Sequence, residues 1–425
     1  MKYAYINGII LSGKEDMQPL YGHSILTDGD RISDIVPTGA EGSEYSKIDL
    51  GGKYILPGLV NLHVHLPANG KPGSNGDPVK KVKLLTSNAL FRRIVLMVCE
   101  SYAKQQLMSG VTTIRTVGGV LDADTKIRDR IAAGKALGPR ILASNMAVSV
   151  PGGHMAGSLA YAAESAEEAR TYTARVAADK PDFIKLMITG GVLDAKVKGE
   201  PGELKMPAEY VRAACEEAHR HGLKVAAHVE SPEGVRVALE NGVDTIEHGA
   251  KPDEEIIRLF KERGAAHVAT LSPALPYALF DRSISHATET EQFNGQVVFD
   301  GIIDCARACL ANGIPVGLGT DTGCPYITHY DMWREVNYFQ RYCGATTAFA
   351  LHSATLGNAR IAGIDSLTGS LEAGKSADMI VTAENPLTDL KALRHVDMVI
   401  ARGRLIRQPK VKKMPQVELE LDKFL

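Results

Sequence analysis

The stretch Leu56-Pro57-Gly58-Leu59-Val60-Asn61-Leu62-His63-Val64-His65 decides how this chain is read, because it delivers two imidazoles, one residue apart, at the end of an apolar, strand-like run. Side chains at positions i and i+2 of a strand point to one face, so His63 and His65 can converge on a single metal ion. On its own, a His-x-His pair is as readily a strand end with two solvated or core histidines. The surrounding sequence moves the balance.

From about Ile55 to about Gly363, short apolar runs alternate with longer amphipathic segments. The runs span 59–65, 112–117, 140–147, 182–188, 224–229, 244–248, 266–270 and 315–319. Eight strands alternating with helices predict a parallel sheet closed into a (β/α)8 TIM-like barrel. Between them, Ala208 to His219 carries apolar residues at helical spacing with Gly222 as a stop, and Ser231-Pro232 opens another helix with a capping residue followed by proline. The two ends break this rhythm. Tyr3-Ala4-Tyr5-Ile6 and Ile32-Ser33-Asp34-Ile35-Val36 near the start, with Asp378-Met379-Ile380-Val381 and Met398-Val399-Ile400 near the finish, read as strands of one small domain. The expected fold is α/β: a β-sandwich domain built from residues 1–55 and 366–408, a barrel over 56–365, and a polar tail, 409–425, that the pattern leaves unassigned.

A chain of 425 residues with 44% hydrophobic content can bury such a barrel and a smaller domain beside it. Its 48 basic and 50 acidic residues, spread along the length for a net charge of -2, create no field that would gather nucleic acid or an anionic membrane. No apolar run has the length of a signal peptide or a bilayer span. The six cysteines (Cys99, Cys215, Cys305, Cys309, Cys324, Cys343) form no Cys-x-x-Cys spacing and read as reduced thiols, with Cys305 and Cys309 as helix core. A cytoplasmic location is expected.

In a barrel the active site lies at the C-terminal ends of the strands, so the polar residues there are the ones that matter. Strand one ends in His63 and His65, strand four carries Lys185 within an apolar run, strand five ends at His228, strand six at His248, and strand eight leads to Asp321. Singly, each has a mundane reading as hydrogen-bonded structure or turn. Together they form a set of imidazole and carboxylate ligands that suits zinc, with manganese, cobalt and iron left open by ligand type alone. Lys185 decides between one metal and two. An ammonium in an apolar strand beside cations is driven neutral, and a neutral amine can add carbon dioxide to become an anionic carbamate able to bridge two ions.

With these residues in place, the chain resembles the amidohydrolase superfamily, and within it the branch of Xaa-Pro dipeptidases and metallo-carboxypeptidases related to imidazolonepropionase. The likeness runs through Leu56-Pro57-Gly58-Leu59-Val60, Gly110-Val111-Thr112-Thr113-Ile114-Arg115, Gly138-Pro139-Arg140, Lys185 with Thr189-Gly190-Gly191-Val192, Thr245-Ile246-Glu247-His248-Gly249, Gly317-Leu318-Gly319-Thr320-Asp321, and Gly374-Lys375-Ser376-Ala377-Asp378-Met379-Ile380-Val381. It implies that His63, His65 and Asp321 hold the more buried ion, that His228 and His248 hold the more exposed one, and that a carboxylated Lys185 and a hydroxide bridge them. The cofactors expected are therefore two divalent ions, zinc by donor type, and carbon dioxide. Asn61 and Thr116 stand where the superfamily usually has aspartates, and His228-Val229-Glu230-Ser231 departs from its commoner small or aromatic residues.

The implied reaction is hydrolysis of an amide bond in a small substrate, an Xaa-Pro type dipeptide or an N-acyl amino acid, with Asp321 moving the proton from water to the leaving amine. His154, in Pro151-Gly152-Gly153-His154-Met155 after strand three, and Tyr277, after strand seven, are candidate substrate contacts. The Gly-, Pro- and Asn-containing loop from Pro67 to Asp77 is placed to cover the pocket. Alternatives are a cyclic-amide hydrolase of the imidazolonepropionase kind, with one metal, and a deaminase. The latter usually presents glutamate three residues beyond the strand-five histidine, where this chain has Ser231. No nucleic-acid or membrane partner is expected; a homo-oligomer is.

Overall fold

The computed structural model describes residues 1–73 and 78–425. Its barrel strands are β1 (Leu59–Val64), β2 (Val111–Thr116), β3 (Arg140–Ala143, continued by Ala147–Ser149), β4 (Phe183–Met187), β5 (Lys224–Val229), β6 (Thr245–His248), β7 (Ala266–Ala269) and β8 (Val316–Leu318). They pair in parallel, β1 with β2 with β3, and the β3 continuation with β4 and onward to β8. The eight strands stand where the apolar runs put them, with one correction. The run 140–147 is two strands, because Asn145 adopts φ 59, a left-handed conformation that cannot continue a strand. Its side chain is committed locally, Oδ1 accepting from the Thr125 amide and Nδ2 donating to Thr125 Oγ1.

Closure between β8 and β1 is built by backbone and by one buried amide. The Asp321 amide donates to the His63 carbonyl at 2.8 Å, and the His65 amide to the Thr322 carbonyl at 3.0 Å. Gly319 allows this approach, since a Cβ there would lie 2.4 Å from that of His63. Asn358 seals the seam below. Its Nδ2 donates to the carbonyls of Val60 (2.6 Å) and Leu318 (2.8 Å), while its Oδ1 accepts from the Leu318 amide (2.8 Å).

The terminal strands form two sheets. Four strands in the order Arg31–Pro37, His23–Asp28, Lys2–Ile6, Ser46–Asp49 face six in the order Arg404–Arg407, Val396–Ala401, Met379–Thr382, Tyr54–Pro57, Ile9–Leu11, Pro19–Leu20. Between them lies a core that includes Tyr5, Ile25, Ile55, Met379, Val381 and Ile400. The alternate residues Leu56, Ile380 and Val399 belong instead to the barrel's core. Both faces of the central strands of the six-stranded sheet are therefore buried, which explains why Met379-Ile380-Val381 shows no polar alternation.

The tail contains a helix, Pro415–Leu421, that docks on the barrel through Arg334. This arginine has no solvent exposure, and its guanidinium meets Asp331 (3.1 Å), Glu418 (3.1 Å) and Asp422 (2.6 Å). Among the described residues, no helix is long and apolar enough to cross a membrane.

Replacing Asn358 by alanine strands two buried carbonyls and one amide at the seam, at a cost on the order of 3 kcal/mol. Urea denaturation of Asn358→Ala should show that loss as a lower midpoint with unchanged slope. A difference under about 1 kcal/mol, the scale of a surface change, would show that closure does not depend on this amide.

Candidate metal centre

All six residues singled out from the strand ends meet at one mouth of the barrel. Asp321 Oδ1 lies 3.3 Å from His63 Nε2 and 3.2 Å from His65 Nε2. The His248 ring centroid is 4.9 Å from that of His63 and 4.6 Å from that of His228. Lys185 is completely buried, and its Nζ has no hydrogen-bond partner among the described residues.

Strand alternation brings most of these side chains inward without effort. On β5, Val225, Ala227 and Val229 enter the core against the helices, leaving His228 to the mouth. Two residues need more. Glu247 and His248 are adjacent yet both face the centre, and Asp321 follows the end of β8. His248 manages this with φ 66 and Asp321 with φ 52. Left-handed backbone at non-glycine residues is uncommon and collects at functional sites. The His248 turn is steadied from behind by His267, whose Nε2 donates to the His248 carbonyl at 2.6 Å. A ring nitrogen of His267 also lies within 4.8 Å of the Cys305 and Cys309 thiols, so the two thiols read as helix core face an imidazole.

The rings are oriented by what stands behind them. His63 Nδ1 donates to Glu247 Oε2 (2.8 Å), His65 Nδ1 to the Gly118 carbonyl (3.0 Å), and His228 Nε2 to the Gly190 carbonyl (3.2 Å), while His248 Nδ1 lies 2.6 Å from Thr270 Oγ1. Carbonyls and carboxylates only accept, so the proton sits on that nitrogen and the lone pair is on the other, facing the centre. Burial pushes His63 down to about 4, and His228 and His248 well below the ordinary imidazole value, which keeps those lone pairs free of protons. Against burial, the imidazoles of His63 and His65 hold Asp321 well below the usual carboxylate range. Burial brings the Lys185 ammonium down to about 8 despite the pull of Glu247 and Asp321. Neutral imidazoles, an anionic carboxylate and an amine ready to lose its proton are the donor set that a divalent ion requires.

Glu247 is a residue of the centre that sequence reasoning passes over. Arg115 Nη2 donates to its Oε1 at 2.5 Å, Thr245 Oγ1 at 2.8 Å, and His63 occupies its Oε2. The signal was available, because Glu247 and Arg115 are charged residues in apolar strands, as Lys185 is. Asn61 stands where the superfamily's aspartate would be and ties β1 to the β8 end. Its Oδ1 accepts from the amides of His63 (3.2 Å) and Thr320 (3.1 Å), and its Nδ2 donates to Thr320 Oγ1 (2.8 Å).

Above the centre opens a cleft of about 120 Å³ with His154 and Tyr277 in its wall. His154 stacks on His228, with centroids 4.1 Å apart and planes within 4°, and its Nδ1 meets Asp194 Oδ2 at 2.5 Å. Tyr277 reaches the cleft from the helix Leu271–Leu279. Glu230, not singled out from the sequence, also lines it, and a carboxylate oxygen of Glu230 falls within 4.8 Å of ligand nitrogens of His228 and His248. Residues 74–77 of the loop proposed as a cover lie outside the described residues.

The profile of the amidohydrolase family matches residues 54–406. The chain belongs to the amidohydrolase family. Its structure superposes on that of a candidate prolidase from Bifidobacterium longum with TM-score 0.88 and 37% identity, covering 99% of this chain and 98% of that one. A Xaa-Pro dipeptidase with bound methionine in its active site superposes with TM-score 0.84 and 30% identity, over 96% of this chain and 100% of that one. The ochratoxinase of Aspergillus niger is 27% identical over 384 residues, 84% of this chain and 76% of the relative. As an amidohydrolase with amidase- and peptidase-like neighbours, the protein is a hydrolase acting on carbon–nitrogen bonds, and divalent metals serve this superfamily generally.

Glu247→Gln removes the negative acceptor behind His63 while keeping the shape. Metal titration of the variant should show the tighter-binding ion held about ten- to hundredfold more weakly, and undiminished affinity would separate Glu247 from metal binding.

Proposed function

We propose that the protein is a binuclear metal-dependent amidohydrolase that cleaves the amide bond of a small substrate, a dipeptide of Xaa-Pro type or an N-acyl amino acid. The observation that carries this reading is the Lys185 amine, buried and without a hydrogen-bond partner among the described residues, at the mouth it lines with His63, His65, His228, His248 and Asp321. Left as an ammonium, it would set a buried positive charge against the ions that the imidazoles are oriented to bind. Addition of carbon dioxide resolves this. The Nζ lone pair forms an N–C bond, a C=O π pair moves onto oxygen, and a proton leaves to solvent, giving a singly anionic carbamate.

In this assignment His63, His65 and Asp321 hold the inner ion, His228 and His248 hold the outer one, and carboxylated Lys185 joins the two groups. Nitrogen and oxygen donors of this kind suit zinc. When bound, the pair supplies water ionised near neutral pH and an electrophile for the scissile carbonyl. The chain's own part is proton traffic and orientation. Asp321 Oδ1 stands with His63 Nε2 and His65 Nε2 around the inner position, while its Oδ2 has the Cys324 thiol at 3.7 Å, leaving an oxygen to take the proton from water and pass it to the leaving amine. Among the described residues lining the cleft there is no arginine, and Lys185 is the lone lysine, so His154 is the side chain fitted to receive a substrate carboxylate. Tyr277 offers a phenol, kept protonated by burial, to the same substrate. A mononuclear cyclic-amide hydrolase or a deaminase would leave Lys185 without a task.

Lys185→Ala should lower kcat for leucyl-proline by about a thousandfold or more, since a Lewis-acid pair contributes several kcal/mol, and should reduce bound metal from two equivalents to one or none. Short carboxylic acids should restore part of both, and native mass spectrometry of the parent protein should show one added carbon dioxide. Two equivalents of metal with an undiminished rate in Lys185→Ala would overturn the assignment. Ammonia released from an amine substrate without amide cleavage would favour the deaminase.

A further inference from the structure

We propose that the wall of the cleft facing His154 selects the acyl side of the substrate, and that it takes an aliphatic side chain of about leucine's size. This selection rests on amide hydrolysis at the centre described above, and it narrows the substrate to one whose acyl residue is apolar.

Two helices build the wall. Leu271–Leu279 follows β7, and Glu289–Ala311 leads into β8. In a ring of eight strands, β3 and β7 stand opposite each other. His154, after β3, therefore faces these helices across the mouth, and both line one cleft. A substrate whose carboxylate is received by His154 lays its amine-side residue there and extends its acyl side toward the two helices.

Every residue that the helices give to the cleft, Pro273, Ala274, Tyr277, Val298 and Ile302, is uncharged. Ala274, Val298 and Ile302 are buried. Gly295 sets the helices side by side, because a Cβ there would lie 2.5 Å from that of Tyr277. Val298 and Ile302, three and seven residues further on, share the Gly295 face of their helix. Glu335 fixes the start of the other helix, accepting from the amides of Leu271 (2.7 Å) and Ser272 (2.8 Å). The wall is thus held in place before a ligand arrives, which spares the cost of ordering it.

At the lip stands Leu193, 59% exposed although it lines the same cleft. A leucine at the mouth of an uncharged wall gains burial when an aliphatic side chain enters beside it. A glycyl residue would leave the wall wet. An aspartyl or lysyl side chain would lose its hydration to a surface on which neither helix offers a counter-charge. Ala274 is the smallest side chain in the wall, and it leaves the space that the substrate fills.

The test compares leucyl-proline, glycyl-proline and aspartyl-proline on the zinc-loaded protein. The kcat/KM for leucyl-proline should exceed that for glycyl-proline about ten- to hundredfold, the scale of burying one leucine side chain, with aspartyl-proline slowest. Ala274→Leu fills the space and should bring leucyl-proline level with or below glycyl-proline, with both metal equivalents still bound. Val298→Ala, a milder change in the same wall, should lower the leucine preference about three- to tenfold. Equal kcat/KM for the three dipeptides would overturn the proposal, as would a leucine preference unchanged in both variants. Calorimetry with L-leucine and glycine, which are not consumed, separates this failure from that of the hydrolytic reading. Leucine held at least tenfold more tightly than glycine by the parent protein and not by Ala274→Leu, where no dipeptide is cleaved, would sustain the wall and sink the dipeptidase.

Discussion

The mouth of the barrel depends on rings being held from behind. An imidazole can serve a metal only through a nitrogen that carries no proton, and which nitrogen that is follows from what its opposite nitrogen is bonded to. Here Glu247 and the Gly118 and Gly190 carbonyls set the tautomers of His63, His65 and His228, while Thr270 Oγ1 stands against His248 Nδ1. Two of those four partners are backbone, supplied by the barrel's own geometry.

Glu247 carries this logic into the interior. Its two oxygens join β1, through His63, to β2, through Arg115, while it stands on β6. The guanidinium also lies 5.1 Å from the Phe183 ring on β4 and donates to the Leu62 carbonyl at 2.7 Å. One ion pair thus braces four strands directly under the centre. Its members satisfy each other's charge, which is what makes a buried pair tolerable. The strand seam at Asn358 and the left-handed turns at His248 and Asp321 complete a frame in which the ligand positions follow from the backbone.

Much of this was legible in the sequence because barrels place function at strand ends. Period-two alternation and the spacing of apolar runs locate His63, His65, Lys185, His228, His248 and Asp321 without any knowledge of contacts. Residues that act across the fold were harder to see. Glu230 sits just past a strand, where a carboxylate is ordinarily a solvated turn residue, and only the approach of Gly191 and Gly202 shows that its oxygen is enclosed. Asn145 reads as part of a strand until its φ is known. The tail shows no pattern because its stabilising partner, Arg334, is remote in sequence.

That tail has a bearing on biogenesis. Arg334 is wholly internal, and two of its three acidic partners, Glu418 and Asp422, lie 84 and 88 residues further along the chain. A nascent chain that has made all eight barrel strands and Arg334 has Asp331 beside the guanidinium but still lacks Glu418 and Asp422. Full charge compensation of this buried cation therefore waits until residues 418 to 422 have followed the barrel strands.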